Sequence, residues 1–107
     1  MKWYKDLYIG EKAKENINKT IHMIRHGKLQ FNKFVLTLPS NNHDVLDIYP
    51  ASILIQRRYM NSDMTIIGIA EGMDEAKELM QTIIMECYNS TGDFDLKEYI
   101  CKKTVTD

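Results

Sequence analysis

The chain has 107 residues, 44% hydrophobic and 27% charged, with a formal net charge of −1; it can bury one core and has the balance of an ordinary globular domain. No uncharged apolar run approaches the ~20 residues of a membrane-spanning helix, and the opening Met1-Lys-Trp-Tyr-Lys-Asp-Leu7 lacks the apolar core of an export signal. One domain spanning 1–107, cytoplasmic and without a membrane partner, is therefore expected; the two cysteines, Cys87 and Cys101, stand in no metal or Cys-x-x-Cys spacing, and a disulfide between them would do little in a reducing compartment.

Trp3, Tyr4, Leu7 and Tyr8 recur at helical spacing and stop at Gly10, so the aromatic segment 1–10 is expected to be a short helical or turn-like lead-in. Over 11–26 the apolar positions Ala13, Ile17, Ile21 and Ile24 form a helical stripe. Gly27 closes it, with Arg25 and His26 in the last turn. Residues 34–38 (Phe-Val-Leu-Thr-Leu) read as a strand ended by Pro39. The polar cluster Ser40-Asn-Asn-His-Asp44 reads as a reversal, and 45–49 as the second strand of a hairpin. Pro50 suits the first turn of a helix running to residue 60, on which Leu54, Ile55, Arg58 and Tyr59 share a face. A strand at 52–56 is the alternative.

The run Met64-Thr-Ile-Ile-Gly-Ile-Ala70 is apolar on both faces, with Ile66, Gly68 and Ala70 on one side and Ile67 and Ile69 on the other, so it is expected inside the fold. Gly68 implies close helix packing or a small bulge. Gly72 is a turn glycine, and Asp74, Glu75 and Glu78 favour the positive end of a helix over 74–89. The stripe of that helix is Ala76, Leu79, Met80, Ile83, Ile84 and Cys87, the cysteine serving as a small buried hydrophobe. A turn of helix over 95–100 lets Phe94 and Tyr99 pack back, and 102–107 is a frayed tail.

The fold class is thus α+β, in the order α-β-β-α-β-α. A three-stranded mixed sheet, with 34–38 central and 45–49 and 64–70 flanking, packs against helices 11–26, 50–60 and 74–89. Asp47 and Pro50 blunt the 45–49 edge, whereas 64–70 carries no charge and makes a hazardous exposed edge. Two covers are available. One is pairing with a second copy along Met64, Ile66, Ile67 and Ile69, giving a homodimer; the other is the aromatic segment Trp3 to Ile9. The dimer is the expectation.

Charge is uneven. Residues 1–33 hold eight Lys or Arg against three Asp or Glu, and residues 34–107 hold six against twelve. Lys12, Lys19, His22, Arg25 and His26 fall on the outward face of the first helix and form the candidate partner surface. Nucleic acid is not the expected partner, because Glu15 interrupts the face and no helix-turn-helix or aromatic stacking motif accompanies it. His22 and His26 have the four-residue spacing that lets two imidazoles meet one metal ion. Met23 stands where a zincin pattern needs glutamate and no third ligand follows, so only adventitious metal binding is expected there. Glu71, Asp74 and Glu75 beside Gly72 repel anions. His43 with Asp44 and Glu71 with Asp74 are placed at opposite ends of the sheet, so they do not join into an active site.

No cofactor or metal is implied. The expectation is a non-catalytic interaction or regulatory module. The alternatives are a small-ligand binder or minor enzyme with a pocket between sheet and helices, and a nucleic-acid accessory protein using the basic helix.

Overall fold

The apolar run becomes an inner strand, and the other elements are arranged around it. The structure is a computed structural model that describes residues 2–28, 31–38, 46–56, 64–96 and 98–100. In chain order it contains β1 (Lys2–Ile9), a 3-10 turn (Ala13–Asn16), α1 (Ile17–Arg25), β2 (Lys33–Thr37), β3 (Asp47–Pro50), a second 3-10 turn (Ala51–Ile55), β4 (Thr65–Glu71) and α2 (Met73–Thr91). The sheet is mixed and four-stranded, in the order β1-β4-β2-β3. As expected, β2 lies between β3 and β4 and runs antiparallel to both. The reversal at 40–44, with His43 and Asp44, lies outside the described residues, as do Arg58, Tyr59, Cys101 and the 102–107 tail.

The N-terminal segment is not a helical lead-in. It is β1, parallel to β4, with Trp3 opposite Ile66 and Tyr8 opposite Gly68. Its ends are fastened by Lys2 N–H to the Met64 carbonyl at 2.7 Å and Gly10 N–H to the Ile69 carbonyl at 2.9 Å. Both margins of β4 are therefore occupied within one chain. Met64, Ile66, Ile67 and Ile69 offer no free edge to a second copy, and the alternative cover, residues 3–9, is the one found. Ile66, Ile67 and Ile69 are fully buried, each worth about 1.5–3 kcal/mol, so the chain gains substantially by folding its own first strand over them. The new outer margin, β1, is poorly suited to further pairing. It bulges between Trp3 and Tyr8 and exposes Lys2, Lys5 and Asp6.

β4 itself carries a bulge. Leu36 pairs with Gly68 but Thr37 pairs with Ile66, leaving Ile67 as the extra residue. The alternation is rephased in consequence. Ile66 and Ile69 pack on one face with Ala13, Ile24, Val35, Ala51 and Leu54, while Ile67 and Ala70 pack on the other with Tyr4, Leu36, Ala76, Ile83 and Cys87. Gly68 also faces that second side, because a Cβ placed on it would stand 3.3 Å from Leu79 Cδ2 and 3.1 Å from the Tyr8 carbonyl oxygen. The grouping of Gly68 and Ala70 with Ile66 is thus corrected, and the close packing and bulge expected of Gly68 are both present.

The helix expected over 11–26 is a 3-10 turn followed by α1. The α1 terminus closes with Gly27 at φ +66°, its N–H donating to Ile24 O at 3.1 Å, and with Lys28 N–H donating to Met23 O at 2.9 Å. That pair of bonds is a Schellman closure, which satisfies carbonyls the helix end leaves open. Of the helix expected over 50–60, the described part is a 3-10 turn, Ala51–Ile55, after which Gln56 has extended backbone; residues 57–60 lie outside the described residues. α2 runs slightly past its expected bounds. Gly72 precedes it at φ +83° and Gly92 ends it at φ +80°, both in the region where a side chain is strained. Tyr99 packs back into the core as expected, but Phe94 is half exposed and stacks on Tyr88 with ring centroids 4.9 Å apart. Among the described residues, no helix is long and apolar enough to cross a membrane.

Candidate functional site

The first helix buries Ile24 and Thr20 and exposes its charged residues and histidines. Lys19, His22, Arg25 and His26 are exposed, at the three- and four-residue spacings that align side chains along a helix. The Ile17–Arg25 segment contains no Asp or Glu, and the exposed Glu15 lies in the 3-10 turn before it. The His22 and His26 rings lie together, centroids 4.3 Å apart and inclined by 51°. The Arg25 guanidinium sits over the Trp3 ring, its Cζ 5.0 Å from the centroid, a contact worth about 0.5–1 kcal/mol at an exposed site. It ties the basic face to β1. Lys12 does not belong to this group. It precedes the 3-10 turn, and its backbone N–H donates to Glu75 Oε2 at 2.8 Å at the start of α2.

That Glu75 carboxylate is a structural clamp. Oε1 accepts from Glu71 N–H at 3.0 Å and from Ala13 N–H at 3.2 Å, while Oε2 takes Lys12 N–H. One side chain thereby joins the entry of the first helical segment to the β4–α2 turn. Burial, the largest influence on this carboxyl, works against ionisation, but the three backbone N–H groups outweigh it and hold the pKa below the usual value. Gly10 makes room for it: a Cβ there would lie 2.0 Å from Glu75 Oε1. Beside it is a recess of about 310 Å³ that Lys12, Asn32, Glu71 and Asp74 help to line. Lys33 bonds Glu71 across the sheet end. The Glu75 carboxylate binds backbone N–H groups and that of Glu71 binds Lys33, so these two hold elements together.

A second carboxylate has a similar role. Glu86 Oε1 accepts the Tyr8 hydroxyl at 2.9 Å and the Tyr99 hydroxyl at 3.1 Å, linking β1, α2 and the C-terminal helical turn. Tyr4 stacks beside Tyr8, ring centroids 6.2 Å apart. Burial first, and then the bond to Glu86, push the Tyr8 phenol well above its usual pKa, so it remains a proton donor to the carboxylate. Such a phenol is the reverse of an activated base. The one described cysteine, Cys87, is fully buried, and burial raises its thiol pKa as well.

Tyr8, Glu75, Glu86 and Tyr99 are absent from the sequence-derived surface. Glu86 carried a usable signal: it is three residues from Ile83 and adjacent to Cys87, so a charge there borders the buried stripe and calls for a partner. The partners of Glu75 lie up to 63 residues away, and no local pattern encodes them.

Comparison with protein-family models, with curated proteins and with solved structures finds no match for this chain.

Proposed function

We propose that this chain is a non-catalytic interaction module that docks an acidic protein surface on the outward face of α1 through Lys19, His22, Arg25 and His26. The observation that carries the reading is the grouping itself: four exposed basic or protonatable side chains on a helix without a single acid. Opposed charge of this kind steers encounter and fixes register between partners. Further support comes from the acids inside the fold. Glu75 and Glu86 are engaged by structural donors, which leaves neither suited to general acid–base work. Self-association through β4 forms no part of the proposal, since β1 fills that margin.

The test is affinity capture from an extract of the source cell, using the wild-type chain and a Lys19→Glu/Arg25→Glu variant shown to melt like wild type. The wild type should retain an acidic protein that salt releases, and the variant should lose it. Retention of the same proteins by both forms would refute the reading. Capture that disappears on nuclease treatment would instead favour nucleic acid.

A further inference from the structure

The imidazole pair on α1 has a geometry that its spacing alone does not supply. Two exposed histidines four residues apart are free to point away from one another, yet these rings approach to 4.3 Å between centroids. We infer that His22 and His26 form a two-imidazole chelate for a borderline divalent transition ion, namely Cu²⁺, Ni²⁺ or Zn²⁺.

A metal–nitrogen bond of about 2.0–2.1 Å sets the two donor nitrogens of a square-planar or tetrahedral site roughly 2.9–3.4 Å apart. Rings already side by side reach that separation by rotation about their own side-chain bonds. The backbone beneath them is fixed, with His26 N–H donating to His22 O at 3.2 Å and the Gly27 and Lys28 bonds closing the helix just beyond. The cation of Arg25, between them in sequence, is held over Trp3.

Imidazole selects the metal class. Hard ions such as Mg²⁺ and Ca²⁺ require oxygen ligands, whereas Cu²⁺, Ni²⁺ and Zn²⁺ accept neutral nitrogen. Among the described residues, no group of three or more His, Cys, Asp or Glu is placed to hold an ion. The site is therefore an open one, its remaining coordination positions left to water or to a donor from a molecule seated on the helix. The chelate does not depend on the docking proposal, and either can fail without the other.

Calorimetric titration of tag-free protein tests it, in a Cys101→Ser background so that this thiol does not compete. One equivalent of Ni²⁺ should bind, Cu²⁺ should bind more tightly than Ni²⁺ or Zn²⁺, and Mg²⁺ should give no heat. Substitutions around a metal ligand already lower affinity about 10- to 100-fold, so His22→Ala and His26→Ala should each lower it at least that much. Both side chains are exposed, so the metal-free variants should melt with the wild type; His22→Gln and His26→Gln serve if an alanine variant does not. Undiminished Ni²⁺ binding in either single variant, equal binding of Mg²⁺, or no binding of any of the three ions would overturn the inference.

Discussion

Replacing Gly10 with alanine sets a methyl group against the Glu75 carboxylate. The added carbon would lie 2.0 Å from Oε1, 2.4 Å from Cδ and 2.6 Å from Cγ, so the side chain must swing away and release the N–H groups of Lys12, Ala13 and Glu71. Gly10 is not among the residues with positive φ, so the cost arises from this contact and not from backbone strain. A sheltered hydrogen bond to a charged acceptor contributes about 1.5–3 kcal/mol, and an exposed cap nearer ~1 kcal/mol. The Lys12 bond is exposed and the other two are part-buried. Together they come to about 2–3 kcal/mol once solvent screening is counted, or a fall in Tm of roughly 10–20 °C for a domain of this size. Urea unfolding followed through the fluorescence of Trp3, the single tryptophan, measures it. Gly10→Ala and Glu75→Ala should lose similar amounts, and the double variant should be no worse than Glu75→Ala, because the clash has nothing left to displace. Losses that simply add would show that Gly10 and Glu75 act separately, and the clamp would be wrong.

The same carboxylate predicts a pH dependence. Its folded pKa lies below its unfolded one, so its stabilisation is present above the ordinary carboxyl range and is lost as pH falls through the folded value. The stability gap between wild type and Glu75→Gln should be widest near neutrality and shrink in acid; a gap constant with pH would refute it. Gly68→Ala should cost about 1–3 kcal/mol by overpacking, since its methyl would meet the Tyr8 backbone and Leu79, and an unchanged melting curve would count against the bulge geometry. Light scattering should give the intact chain the mass of a single copy, while a form lacking residues 2–9 should associate or unfold with β4 uncovered. A truncated form that stays monomeric and folded would show that β1 is dispensable.

Much of the sheet was legible from local chemistry. The hairpin partners, the central place of β2 and the acidic start of α2 each rest on residues within a short window: the polar cluster in the sequence before β3, the isoleucines of β4, and Asp74 and Glu75 after Gly72. β1 was misread for a physical reason. Five residue steps on β1, from Trp3 to Tyr8, span only two on β4, so its apolar positions fall at 3, 4, 7 and 8 and imitate the period of a helix. The extra residue at Ile67 likewise breaks the two-residue alternation from which the faces of β4 were assigned. The 3-10 turn after Pro50 begins where the proline indicated, and it buries Ala51 and Leu54 against the sheet. Of the basic face, Lys19, His22, Arg25 and His26 were readable because they share one helix. The hold of Arg25 on Trp3 and the closeness of the two rings depend on β1 and on side-chain conformation, which spacing does not specify.

The parallel pairing of β1 with β4 also bears on how the chain is born. A ribosome makes β1 before β4, its only described strand neighbour, which emerges some sixty residues later, so β1 must wait, aromatic and unsheltered, for the ribbon that receives it. Until they meet, the isoleucines of β4 have one bare flank. The interval between translation of β4 and docking of β1 is therefore when a nascent chain runs its greatest risk of sticking to its neighbours.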